Sequence, residues 1–423
     1  MEVPPDSLLV TELMAGAVSF LAVLLLAPLL TRLCLRIGWI DKPSARKLHE
    51  GNVPIAGGLT IVCAVLVSAL IVDPRLALAV HFWVSAFIVF ITGFIDDRIP
   101  IRARYRLLAQ FSAAAFFMLS SGATLAHLGE LIGPFPIELG VFALPFAVIG
   151  IAGLTNASNM TDGLDGLAGG LSCIAFGWLL LVFALISRDV VETGPEFAER
   201  ALQVSKVASL LFGALLAFLV FNQRSPWRRR ASMFLGDGGS MALGFLVAAM
   251  LVYACGAFGS AGMPAVAAVW IAAVPLIDIF SSMLRRVLVG VTPMTPDRRH
   301  LHHLLLARGM STESAVLTLQ GLAVVSGLVG VAGWRWGVPD YVLFWLLAAV
   351  FVAYFALSQR FWHRMDALEV GPFMAGAPMG TSAQVVSSVQ AAQQSAQVAP
   401  ISSAPSGTLD TAVLSPTQTG TNG

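Results

Sequence analysis

The stretch Thr155 to Gly170, TNASNMTDGLDGLAGG, places two amides and two carboxylates, Asn156, Asn159, Asp162 and Asp165, at a strict spacing of three. On a helix, neighbours three apart share a face, so the spacing predicts a polar stripe along the end of an otherwise apolar segment. Gly163 and Gly166 then loosen the backbone, letting a helix end or a ligand approach closely. The next residues return to a membrane-length apolar run, LSCIAFGWLLLVFALI. A turn between two spans needs one or two polar residues, not four in register. Such side chains suit a divalent cation and a polar substrate, because hard cations take carboxylate and amide oxygens.

Four further stretches carry similar chemistry. In IDKPSARKLHEGNVPIAGG, Arg46, Lys47 and His49 are the kind of cluster that grips phosphate oxygens. Pro54, Gly57 and Gly58 shape a turn where backbone can lie near a ligand. In GFIDDRIPIRARYRLLAQ, the adjacent carboxylates Asp96 and Asp97 stand at the edge of an apolar run. Paired acids near hydrocarbon are costly unless they meet a cation or strong donors. They read as metal ligands, a proton acceptor or both; neutralisation by Arg102, Arg104 and Arg106 is the plainer alternative. In FLGDGGS, Asp237 sits among glycines, which suits metal coordination bridged by phosphate. Phe234, three residues earlier, is by itself more simply core than a stacking surface for a base. In TPDRRHLHHLLLARG, His300, His302 and His303 lie among Asp297, Arg298 and Arg299, without the HExxH pattern or cysteine partners of a zinc site. They read as donors for a pyrophosphate or sugar. Asp278, inside an apolar run, is left without a role, with Arg285 or Arg286 as its expected buried partner.

The elements that must position these residues are membrane helices. The chain is 57% hydrophobic and 12% charged, with a mean hydropathy of +0.82, far from the roughly 25% charged of soluble domains. Apolar runs predict an all-α polytopic bundle of eleven spans near 9–31, 54–72, 78–95, 107–121, 140–156, 167–187, 205–221, 239–257, 264–284, 314–333 and 340–358. The first span follows an acidic start without a cleavage site and reads as retained. Connections on one side, with the C-terminal tail, hold 20 of the 25 Lys and Arg residues. Basic loops stay in the cytoplasm, so the N-terminus is expected outside and the C-terminus inside. Every polar motif then faces the cytoplasm. Residues 1–365 form the expected membrane domain, and 366–423, rich in Ser, Ala, Gln, Pro and Thr, a disordered cytoplasmic tail. The four cysteines show no metal or disulfide spacing.

Carboxylates and amides that hold hard cations, beside arginines and histidines that hold phosphates, are the parts of phosphoryl transfer, where catalysis is largely positioning and charge neutralisation. With the site at a bilayer edge, one substrate is expected to be partly lipidic. Ionisable residues cluster at span ends rather than mid-membrane, and there is no internal repeat. Both weigh against a transporter.

In their order and content the motifs DKPSARKLHEGNVPIAGG, GFIDDR, NASNMTDGLDGLAGGLS, FLGDGGS, PLIDIFSSMLRR and TPDRRHLHHLLLARG resemble the polyprenyl-phosphate N-acetylhexosamine-1-phosphate transferases, over about residues 8 to 360. The resemblance implies transfer of GlcNAc-1-phosphate from UDP-GlcNAc to undecaprenyl phosphate with release of UMP, using Mg²⁺ or Mn²⁺. It implies a multi-pass protein of the bacterial inner membrane with a cytoplasmic active site, acting first in lipid-linked surface glycan synthesis. Asp237 and Asn159 match the family's cation-binding positions. Asp96 and Asp97 match its acidic pair, assigned to metal, lipid phosphate or proton acceptance, so that Asp97 joins the expected ligands. Asp162, Gly163, Leu164, Asp165 and Phe234 match a uridine-side pocket, with Phe234 as the stacking ring, and Asn156 belongs to the same expected substrate surface. Lys47, His49, Arg104, Arg106, His300, His302 and His303 would contact phosphates and sugar. Pro100 stands where a third acid can complete a DDxxD pattern, so no role of that acid applies here. A phospho-MurNAc-pentapeptide transferase and transferases of other UDP-N-acetylhexosamines are the alternatives within the class. A homodimer is left open, and no nucleic-acid partner is expected.

Overall fold

In the computed structural model, which describes residues 5–41, 52–75, 80–190, 194–293 and 299–369, the apolar runs are helices. They are α1 Pro5–Ile37, α2 Gly57–Val72, α3 Val80–Asp96, α4 Ala103–Ser121, α5 Ala143–Thr161, α6 Leu167–Asp189, α7 Pro195–Asn222 and α8 Gly236–Gly256, then α9 Ala265–Ile271, α10 Ala273–Leu288, α11 Leu301–Ala307, α12 Thr312–Arg335 and α13 Asp340–Glu369. A two-residue antiparallel pair, β1 Ile40–Asp41 and β2 Val53–Pro54, is the only sheet among the described residues. The helices through Trp362 form one unit, and His363–Gly423 a second, of which only the last turns of α13 are described. The expected tail beyond Glu369, and Arg46, Lys47, His49, Asp297 and Arg298 in the loops, lie outside the described residues, while residues 366–369 continue α13.

Among the described residues, seven helices are long and apolar enough to cross a membrane, and eight if the bent pair α9–α10 is one span. The shortfall from eleven has local causes. At 16 and 17 residues, α2 and α3 extend about 24–26 Å, short of the roughly 30 Å hydrocarbon core. In α4, Arg104, Arg106 and Gln110 lower the hydropathy. The ninth apolar run is not straight: α9 and α10 meet at 91°. Pro275 in the first turn of α10 has no N–H for the helical ladder, so Ala272 leaves α9 and a new helix starts.

The core sits where α8 passes between its neighbours, and glycine lets it do so. Gly57 N–H donates to Phe234 C=O at 2.9 Å, and Gly58 N–H donates to Leu235 C=O at 3.0 Å. A Cβ on Gly58 would lie 2.6 Å from Gly239 Cα, and one on Gly93 would lie 2.6 Å from Asp237 C=O. The bare backbones of α2 and α3 therefore abut the start of α8 directly. At the turn Pro54–Gly58 the chain's own Phe234–Leu235 backbone lies against Gly57 and Gly58.

Candidate active site

Three helix ends meet here: the C-terminal ends of α3 and α5 and the N-terminus of α8. Gly236 enters α8 at φ +79°, a conformation only glycine adopts freely. The first amides of a helix lack internal partners and carry partial positive charge. Asp97 supplies the acceptor: its Oδ1 takes a hydrogen bond from Asp237 N–H at 2.8 Å, and its Oδ2 one from Gly238 N–H at 3.2 Å. Burial pushes the Asp97 carboxyl up to about 7, with the Asp237 charge adding to it and the two amide donors pulling back.

Asp237 turns its own carboxylate toward α5, where Asn159 Nδ2 donates to Oδ1 at 2.9 Å and to Ser240 Oγ at 3.0 Å. The Asp96 carboxyl is within hydrogen-bonding reach of Asp237. It is also held by Arg106 and by Ile101 N–H, both at 2.5 Å. Asp96, Asp97, Asp237, Asn159 and Arg106 thus come together, although Asn159 lies 78 residues before Asp237.

The four-residue stripe does not survive as one face. Helix α5 ends at Thr161, and Asp162 caps it with ψ 49°, so only Asn156 and Asn159 stay in register. Asn156 pairs with Gln110 of α4, its Nδ2 donating to Oε1 at 2.6 Å. Asp165 swings away in the turn: its Oδ2 accepts from Arg224 Nε at 2.7 Å and from Ala231 N–H at 3.3 Å. Gly166 is clamped by Asn222 Oδ1, which accepts from its N–H at 2.8 Å, and by Gln320 Nε2, which donates to its C=O at 3.0 Å. The reason lies in the backbone: once Asp162 leaves helical dihedrals, a spacing of three no longer means a shared face. Gly163 and Leu164 remain at the surface of the turn, Leu164 packing beside Leu167 and Leu171. Half-buried Phe234 immediately precedes the α8 entry. Arg104 is apart from the cluster, exposed, with its guanidinium 4.8 Å over the Tyr105 ring.

The histidines form a column against this turn. His300 and His302 are stacked 5.9 Å apart with rings 5° from parallel, and His303 lies 4.2 Å from His302. A Cβ on Gly163 would sit 2.7 Å from His302 Nε2. Burial holds His302 down to about 3, with the neighbouring His303 adding to it. His302 is therefore a neutral donor and acceptor at ordinary pH, not a cation. Because its folded value is below the free one, the folded state loses stability as pH falls from about 6.5 toward 3. His302→Gln is expected to remove roughly 1–2 kcal/mol of acid sensitivity between pH 7 and 5. Thermal midpoints of the detergent-solubilised protein at the two pH values test this, and an unchanged pH dependence would refute it.

Asp278 does not pair primarily with the arginines that follow it. Its Oδ2 lies 2.9 Å from His300 Nδ1, and its Oδ1 accepts from Leu301 N–H at 2.7 Å and Tyr354 OH at 2.9 Å. Arg285 reaches Arg299 C=O and Arg286 reaches Pro293 C=O. Asp278, Arg285 and Arg286 all lie on α10, where the arginines stand seven and eight residues on, about 10–12 Å along the axis, while α11 and α13 bring nearer partners to Asp278. Sequence reading also passed over Gln110, Ser240, Asn222 and Arg224. A polar residue inside an apolar helix, as at Gln110, was the one available signal.

A polytopic helical membrane protein whose carboxylates, amide and histidines gather at one set of helix ends is the class this fold and site define. Residues 79–255 match glycosyl transferase family 4. Relatives named undecaprenyl-phosphate alpha-N-acetylglucosaminyl 1-phosphate transferase include those of Haemophilus influenzae, 32% identical over 77% of this chain and 88% of the relative, and Yersinia pestis, 29% identical over 78% and 87%. That of Escherichia coli K12 is 29% identical over 77% and 85%. The chain belongs to this family of transferases.

Proposed function

We infer that this protein transfers N-acetylglucosamine 1-phosphate from UDP-GlcNAc to undecaprenyl phosphate, releasing UMP, as the first membrane step of a lipid-linked surface glycan. The observation that carries the reading is the meeting of Asp96, Asp97, Asn159 and Asp237 at the α8 N-terminus, in a chain whose relatives bear that name. An apolar cleft of roughly 290 Å³ between α2, α3 and α8 reaches Gly58 and Gly239 beside the cluster, so a substrate with a long hydrocarbon tail can lie next to it.

The donor set fits Mg²⁺ or Mn²⁺. Carboxylates in hydrogen-bonding reach of each other at a membrane edge call for positive charge. Among the described residues no three His, Cys, Asp or Glu side chains form a closed ligand set. An ion of this kind takes one or two carboxylates and completes its shell with water and phosphate oxygens. Asp237, Asn159 and Asp97 would hold it, with Asp96 alongside. When bound, it would neutralise the diphosphate and the charge developing on UMP.

The lipid phosphate has a second pKa of about 6 and is mostly dianionic near neutral pH. One of its oxygens attacks the sugar-bearing phosphorus in line, the bond to the bridging oxygen breaks, and UMP departs with the electron pair. No strong base is needed, so direct attack is favoured over a covalent aspartyl intermediate, and Asp97 has a positioning role with proton uptake open to it. A sugar-phosphate trapped on an aspartate would overturn that step. His300, His302 and His303 line the donor side by the Asp162–Asp165 turn.

The same reading has eleven crossings with the N-terminus outside and the site cytoplasmic. It is supported by the opposite-side cations, Arg75, Arg188, Arg200, Lys206 and Arg335, three of which are held in ion pairs: Arg75 and Lys206 with Asp73, and Arg335 with Asp189. The test is UMP release by the purified protein, offered a panel of UDP-sugars. It is expected to need lipid phosphate and a divalent cation together; a transporter would release none.

A further inference from the structure

The connection from α7 to α8 carries four arginines, Arg224 and Arg228 to Arg230, and no acid between Gln223 and Gly236. It closes on a tight turn. Ser225 N–H donates to Arg228 C=O at 2.8 Å, and Arg228 N–H donates back to Ser225 C=O at 3.0 Å, leaving Pro226 and Trp227 at the tip. Pro226 has a fixed φ, so Trp227 is presented by a stiff turn, and it is 93% exposed. An indole held out in that way loses little freedom when it meets a surface.

Two contacts set the depth of the turn. Leu216 and Val220, four apart on α7 and exposed at 41% and 50%, mark the helix face that meets hydrocarbon. The Arg228 guanidinium donates to Val220 C=O and lies 5.8 Å from the Phe221 ring. It therefore sits at the edge of that face, where an arginine keeps its stem on apolar surface and its charge at the headgroups. Trp227 is its neighbour in the chain, and tryptophan prefers that same layer. The base of the turn is tied to the candidate site from both flanks. Arg224 Nε donates to Asp165 Oδ2 at 2.7 Å, and Ala231 N–H donates to the same oxygen at 3.3 Å.

We propose that residues 224–231 form an arm that docks on anionic phospholipid headgroups of the adjacent leaflet, with Trp227 in the interface and Arg228 and Arg229 at the phosphates. Through the two bonds to Asp165, the docked arm steadies the Asp162–Asp165 turn on the donor side. That coupling to activity rests on the transferase reading above; the docking itself does not. A run of arginines without an acid is complementary to the negative surface of such a leaflet.

Full-length protein in phosphatidylcholine vesicles, with and without phosphatidylglycerol, tests both parts. Expected is a rise of about 5-fold in kcat/KM for UDP-GlcNAc when phosphatidylglycerol is added. Arg229→Glu is expected to hold that rise below about 2-fold, while matching wild type in phosphatidylcholine alone. Docking is read separately by tryptophan emission, as the difference between wild type and Trp227→Phe. Phosphatidylglycerol brominated near its headgroup is expected to quench that difference, and iodide in the water is not. Quenching by iodide alone would place the arm in water and overturn the proposal whatever the activity. So would equal wild-type activity in the two lipids. The same rise given by inorganic phosphate in phosphatidylcholine would also overturn it, making the arginines a site for a soluble anion. Wild-type protein that releases no UMP in either lipid would sink the transferase reading, and the quenching would still decide the docking.

Discussion

Asp237→Asn is expected to lower UMP release by at least about 10²–10³-fold while leaving the helical bundle intact. The substitution is nearly isosteric. Its amide oxygen can still accept from Asn159, and the backbone N–H that Asp97 receives at 2.8 Å is untouched. What disappears is one negative charge from a site where Asp96 and Asp97 crowd the same helix end. Folding loses little, since removing one of several neighbouring like charges relieves repulsion; the thermal midpoint should hold or rise. Catalysis loses the hardest ligand of the cluster, and with it the means to neutralise a diphosphate. Kinetics and melting of the same preparation separate the two effects. A variant that keeps a tenth of wild-type turnover would place the chemistry elsewhere.

Gly93→Ala is the second large effect, and it acts with a single methyl group. A Cβ at Gly93 would stand 2.6 Å from Asp237 C=O and 2.7 Å from Gly238 Cα. Both are backbone atoms at the start of α8 and cannot rotate away. The added methyl must push α3 off α8, and Asp97, whose N–H donates to Gly93 C=O at 2.9 Å, moves with α3. Overpacking of this kind costs about 1–3 kcal/mol. A displacement near 1 Å at the carboxylates is expected to cut turnover by about 10². Gly150→Ala on α5 is the control, because no atom lies within 4 Å of its added Cβ. Equal activity of the two variants would refute direct backbone packing as the reason for glycine at position 93.

The amino-acid sequence by itself determined that the chain is a bundle of apolar helices, and it marked most of the residues that converge. Apolar runs need no long-range information, because only helices satisfy their own backbone within one segment in hydrocarbon. Carboxylates such as Asp96, Asp97 and Asp237 stand out for the same reason: in an apolar context each is costly without a partner. What sequence reading could not decide was which partner each one meets. Helical periodicity suggested that Asn156, Asn159, Asp162 and Asp165 act as one stripe, yet only two remain on α5 and Asp165 closes an ion pair with Arg224. Proximity in sequence suggested arginines for Asp278, yet the packing of α11 and α13 against α10 gives it His300, 22 residues away, and Tyr354. Asp97 was read from its type as metal ligand, proton acceptor or both, and its bonds to the first amides of α8 emerged only when glycines brought the two helices together. Local spacing is written in the chain. The angle and closeness at which helices meet depend on glycine contacts and on a proline break between residues far apart, and these act only once the bundle is packed.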